Sequence, residues 1–305
     1  MILLNKTDCG SAIKGTGTLG CKVDINYLTQ FFLLEDGVEF DTAADTIDQA
    51  KINELVQAEQ LIVLPEHNSF TSEGEDTVYE TLPSGAKLPV RNGLYEFLPM
   101  YSKGICLSNA LGSLNSKSWT LLMLDFDDSG NSRVWGEQTT NGKFKGFNLG
   151  LVYAENRQFS DGTTSTKTPL RLQLSTKGTA AMRSRVAYLS SNNAVDFAAL
   201  NGVNDVLLEA TSTVAATFAV KALISCDGST SISSNTTVSN WKITDTSDDS
   251  DVVPSGITFS NGAYAIAGVA AGTYKVKFYD KTNSKEVVVS SNKYYESDEI
   301  TVTLT

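Results

Sequence analysis

A chain of 305 residues, 41% hydrophobic and 19% charged, has room for about two domains and a substantial core. Its net charge of −11 repels phosphate backbones, which argues against tight nucleic-acid binding yet suits a surface that lets DNA slide past. No run approaches the roughly 20 apolar residues that span a membrane, and the first residues lack the basic region and apolar run of a signal peptide.

Cys9, Cys21, Cys106 and Cys226 are widely spread without a CxxC pair, so they read as reduced thiols made in a cytoplasm rather than a disulfide framework. Residues 1–40 mix small residues with β-like runs at Lys22–Tyr27 and Gln30–Leu34. Gly15, Gly17 and Gly20 match GxGxxG, but a dinucleotide fingerprint follows a buried strand and opens a helix, and β-like residues follow here. The stripe Ile47, Ala50, Ile52, Leu55 and Val56, with Thr42 and Asp45 as an N-terminal cap, predicts a helix over 42–60. A short buried strand, Leu61–Leu64, is stopped by Pro65. Residues 66–92 read as an extended arm, a β-hairpin with Pro83, Ser84 and Gly85 near its tip; excursions this long are uncommon in compact domains unless they do something. Its acidic start reads as a solvated face. Leu94–Tyr101 is expected to be a strand or sheet edge because of Pro99. Ile105, Leu107, Ala110, Leu111 and Leu114 have the spacing of a short helix leaning on the sheet that follows.

That sheet is the clearest element of the chain. Trp119–Phe126 is apolar on both faces, Asp127–Asn131 turns it, and Arg133–Glu137 returns. In a second hairpin Phe147, Leu149, Leu151 and Tyr153 alternate with smaller or polar residues, as do Leu170, Leu172 and Leu174. A strand apolar on both faces has to be covered on both sides. Beyond Thr176 the pattern weakens to a strand within Met182–Leu189, one helical turn at Ala194–Leu200, a strand at Asp205–Glu209 and a linker at 211–216. Alternation then returns at Phe218–Ile224, Trp241–Ile243, Ile257–Phe259, Tyr264–Ile266, Tyr274–Phe278, Val287–Val289 and Ile300–Leu304. Some seven short strands with regular turns describe an immunoglobulin-like β-sandwich, here without paired cysteines. The expected fold is mainly β with few helices, divided into 1–212 and 213–305.

Chemistry is sparse. His67, the single histidine, reads as a solvated loop residue, and one histidine supports neither a multi-His zinc site nor a Ser-His-Asp triad. Ser11 and Lys14 match SxxK without its companion motifs. Asp125, Asp127 and Ser129 resemble the front of a calcium loop, but the twelfth position is Gly136, and a hairpin turn is the better reading. Arg157, Arg171, Arg183 and Arg185 are too scattered for a nucleic-acid footprint. No catalytic, cofactor-binding or metal-binding residue is expected, and no enzyme.

The order of parts resembles the major tail (tail tube) proteins of long-tailed bacteriophages. A helix near the start and a long arm are followed by the Asp127–Asn131 turn, the long hairpin over 144–176 and an appended immunoglobulin-like module. That resemblance implies a β-sandwich or β-barrel domain closing into hexameric rings of identical copies. The rings stack into a tube that carries DNA without binding it specifically and that contacts other tail proteins. It implies a virion structural protein of the tail, made in the host cytoplasm. Two other roles fit the same sequence: a capsid decoration or adaptor protein, and a glycan- or surface-binding sandwich using Trp241, Tyr294 and Tyr295 on the last domain.

Overall fold

The computed structural model describes residues 4–6, 25–41, 47–74, 76–91, 93–114, 117–163, 165–190, 195–214, 216–226 and 228–305. The GxGxxG and SxxK stretches, Cys9, Cys21 and the Thr42 cap lie outside them. The fold is mainly β, in two compact units: Met1–Ile52 with Gln60–Ala199, and Asn53–Glu59 with Leu200–Thr305.

In the first unit the strands are β1 (Leu4–Lys6), β2 (Gln30–Glu35), β3 (Leu61–Val63), β4 (Ser69–Gly74), β5 (Val78–Thr81), β6 (Lys87–Arg91), β7 (Tyr95–Tyr101), β8 (Trp119–Phe126), β9 (Ser132–Gln138), β10 (Phe144–Lys145), β11 (Phe147–Ala154), β12 (Thr168–Leu174) and β13 (Val186–Ser190). The helices are α1 (Gln49–Gln57), whose second half belongs to the other unit, α2 (Gly104–Ser113) and α3 (Thr176–Ser184). Strand β8 is the hub. One edge pairs with β2 along its length; the other is shared by β9 at Met123–Phe126 and β11 at Thr120 and Leu121. Strand β11 then leaves β8 and continues against β12, which leads through β7 to β4. One chain segment thereby folds a single hydrogen-bonded path into a half-barrel.

Phe31, Leu33, Trp119, Leu121, Met123 and Trp135 face inward to meet Phe97, Leu170, Leu172 and Leu174 in one buried cluster. The alternate residues Phe32, Leu34, Leu122, Leu124 and Val134 are also buried, so β8 is covered on both faces as its sequence requires. Three glycines permit the crowding. A Cβ on Gly136, Gly146 or Gly178 would collide with the Lys145 carbonyl, Thr120 or the Asn148 carbonyl respectively.

Several boundaries differ from expectation. Helix α1 begins seven residues later than 42, and Asp48 Oδ1 accepts from the Lys51 N–H at 2.9 Å as its cap. Strand β7 is interior, between β4 and β12, not an edge; its ladder to β12 skips Leu98 and Pro99, where Pro99 has no N–H to give. In β11 a bulge between Leu149 and Leu151 reverses the alternation. Before it Phe147 and Leu149 face the core; after it Val152 and Ala154 do, and Leu151 and Tyr153 point outward. Helix α3 falls where no helix was expected, capped by Ser175 Oγ accepting from the Gly178 N–H at 3.1 Å.

The second unit contains β14 (Val203–Ser212), β15 (Thr217–Ile224), β16 (Trp241–Asp245), β17 (Gly256–Ser260), β18 (Ala263–Ala267), β19 (Gly272–Phe278), β20 (Val288–Ser290), β21 (Lys293–Ser297) and β22 (Ile300–Leu304). The order β17-β18-β15-β14 on one sheet and β16-β19-β22 on the other is that of an immunoglobulin constant-type sandwich. Strands β20 and β21 extend the first sheet, β21 running parallel to β14. Trp241 fills the centre, its ring 4.6 Å from Phe278 and 5.1 Å from Tyr264, its Nε1–H donating to the Asn235 carbonyl at 2.8 Å. The unit starts earlier than residue 213: Thr211 and Ser212 are not a linker but the end of β14, which pairs with β15.

Candidate functional site

The arm is narrower than 66–92, because β4 pairs with β7 and belongs to the body of the first unit. What remains is the β5–β6 hairpin, a separate two-stranded sheet. Its turn is closed by the Leu82 N–H donating to Ala86 O and the Gly85 N–H to Leu82 O, both at 2.8 Å. Gly85 takes φ +80°, a conformation that suits glycine. Along the hairpin Val78, Tyr79, Leu88 and Val90 are 46%, 54%, 50% and 64% exposed. A lone two-stranded hairpin is marginal in water, and burying one such side chain is worth roughly 1.5–3 kcal/mol. These four gain that only from a surface that covers them.

A second uncovered surface is the outer face of the sheet β4-β7-β12-β11. Leu151 and Tyr153 lie there, 39% and 48% exposed, because the bulge turned them out. Glu73 and Glu96 stand directly opposite one another, an unfavourable pairing that Arg171 relieves. Its guanidinium bonds Glu96 and also Glu155, with Nη2 2.6 Å from Glu155 Oε1.

Other residues singled out by sequence have structural explanations. His67 is not solvated: it is 9% exposed, with its ring 5.5 Å from those of Phe31 and Phe70 and 6.5 Å from that of Tyr27. Neither ring nitrogen has a hydrogen-bond partner among the described residues. Burial pulls its pKa below the ordinary 6.5, opposed by the Leu28 backbone, which stops short of a well-formed bond, and by the Glu66 carboxylate. Its polar neighbours Glu66, Asn68 and Ser69 hid a burial that only long-range packing creates.

Asp125 is fully buried and taken up by Arg133, Nε to Oδ1 at 3.0 Å and Nη2 to Oδ2 at 2.6 Å, and by the Asn26 N–H at 2.9 Å. Asp127 accepts from the Ser129 and Asn131 N–H groups, at 2.9 and 2.8 Å, in an ordinary turn. The Asn131 side-chain amide, which donates to Asp127 Oδ2 at 3.1 Å, and then those backbone bonds hold its carboxyl below the usual range. Arg185 pairs with Glu137 at 2.8 Å, and Arg183 lies over the Tyr95 ring. Trp241, Tyr294 and Tyr295 are 0%, 0% and 5% exposed, so they offer no stacking platform to a sugar and the surface-binding role loses the residues it rested on. Among the described residues no cluster of three His, Cys, Asp or Glu side chains could hold a metal ion. No described helix is long and apolar enough to cross a membrane.

The molecule is thus a two-unit β protein whose most conspicuous exposed apolar surface, among the described residues, is a hairpin. No protein-family model matches the sequence, and no curated protein matches it.

Proposed function

We propose that this chain is a virion structural protein that associates with copies of itself into stacked rings, in the manner of a phage tail tube through which DNA passes. The observation that carries the reading is the β5–β6 hairpin, four of whose apolar side chains are about half exposed or more. An extended hairpin of this kind serves as a clasp on a neighbouring copy and would be an aggregation hazard if left bare. The bulge-exposed Leu151 and Tyr153 offer a further apolar strip. The net charge of −11 disfavours trapping of DNA that passes along the assembly. Negative-stain microscopy of the purified chain, with its mass measured by light scattering, tests the reading. Rings or stacked tubes are expected; a monodisperse monomer at tens of micromolar overturns it.

A further inference from the structure

We propose that the outer face of the β16-β19-β22 sheet, in the second unit, binds an acidic oligosaccharide. A shallow groove of ≈ 590 Å³ lies there, of a size that takes small ligands. The inward residues of these strands, Trp241, Ile243, Tyr274, Val276 and Phe278, form the core, so alternation alone makes the outer face polar. The arrangement of charge goes further than alternation requires. Lys242 and Lys277 are directly opposed across β16 and β19, a like-charge pairing that costs stability. Both ammonium groups sit over the Tyr279 ring, at 5.1 and 5.6 Å, where the ring face partly offsets the repulsion.

Three of the neighbouring lysines are neutralised: Lys277 by Glu286 at 2.8 Å, Lys281 by Asp251 at 3.0 Å and Lys275 by Glu299 at 3.4 Å. Lys242 has no carboxylate at ion-pair distance among the described residues, although it lines the groove of a strongly acidic chain. An anionic ligand group is the partner it lacks. The rest of the lining narrows the class. Asp249, Asp251 and Glu299 accept hydrogen bonds, and the hydroxyls of Thr244, Ser284 and Tyr279 both donate and accept. That mixture suits a chain of sugar hydroxyls carrying one acid group. Nucleic acid fits poorly, since three carboxylates would face its phosphates. The site is separate from the buried Trp241, Tyr294 and Tyr295, and it does not rest on the self-assembly reading.

The test is calorimetric and NMR titration of the full chain with a tetrasaccharide carrying a single uronate, glycerol monophosphate, neutral cellotetraose and a DNA oligonucleotide. The uronate and the glycerol phosphate share the anionic-polyol chemistry, and whichever binds more tightly identifies the source of the acid group. At least one of them should bind about tenfold more tightly than cellotetraose, with the Lys242, Thr244 and Tyr279 amides shifting. Lys242→Gln should lose that preference while its unfolding midpoint holds or rises, because the opposed charge on Lys277 is relieved, and Lys242→Arg should keep it. Equal binding of acidic and neutral sugars, binding of the oligonucleotide as tight as the uronate, or an unaffected Lys242→Gln variant overturns the proposal.

Discussion

At the scale of single residues, the same substitution should act with opposite signs at two helical glycines. Replacing a glycine in a helix interior by alanine ordinarily stabilises by about 0.5–1 kcal/mol, because the unfolded chain loses freedom. Gly112 in α2 has nothing within 4 Å of an added Cβ, so Gly112→Ala should raise the urea midpoint. At Gly178 in α3 the Cβ would enter the Asn148 backbone, and overpacking of about 1–3 kcal/mol outweighs the gain. Gly178→Ala should therefore lower the midpoint; a rise in both variants would refute the close packing of α3 on β11. His67 makes a second residue-level case. Its folded pKa lies below 6.5, so the unfolded chain binds the proton more readily. Its contribution is complete above pH 6.5 and is lost as the pH falls from there toward the folded value. The drop in melting temperature from pH 7.5 to 5.5 should be smaller in His67→Phe, which keeps an aromatic ring among Phe31, Phe70 and Tyr27. An equal drop in both proteins would show that His67 is not the group responsible.

At the scale of elements, the β5–β6 hairpin is the part most readily removed. It forms its own two-stranded sheet, and β4 and β7 pair without it. Replacing residues 78–91 by a short Gly-Ser linker should leave circular dichroism and the unfolding transition nearly unchanged while abolishing ring stacking in micrographs. Normal tubes from that variant would remove the hairpin from the assembly. The hairpin was legible in sequence because its signals are local: a Pro-Ser-Gly tip between two extended runs. Strand β8 was legible for a similar reason, since eight successive residues admit few other interpretations. What escaped depends on distant partners. The β11 bulge comes from the switch between β8 and β12, and nothing within Phe147–Ala154 announces that the phase of alternation reverses there. Helix α3 carried a readable cap at Ser175, but Gly178 weakened its helical pattern for the sake of a contact with β11. Of the candidate surface, the arm was visible in sequence and the outward Leu151 and Tyr153 were not.

At the scale of the whole molecule, the second unit is discontinuous in sequence, and this decides where the chain can be cut. Within that unit Gln57 Nε2 donates to Asp280 Oδ2 at 3.0 Å and to the Val287 carbonyl at 2.8 Å, and the Tyr294 hydroxyl donates to Asn53 Oδ1 at 2.7 Å. Burial pushes the Asp280 carboxyl up, but hydrogen bonds from Asn283 and Gln57 outweigh it and hold the pKa low. Truncation after residue 212 leaves β14 without β15, and Val206 and Leu208, each 2% exposed in the intact chain, then meet water. That fragment should precipitate. Truncation after Ala199 removes the strand as well and leaves 53–59 as the single orphaned segment. If the ring-forming surfaces belong to the first unit, the 1–199 fragment should give the native amide dispersion of its strands and still form rings. A 1–199 fragment that is folded by that criterion yet stays monomeric where the full chain assembles would move the assembly surfaces to the second unit.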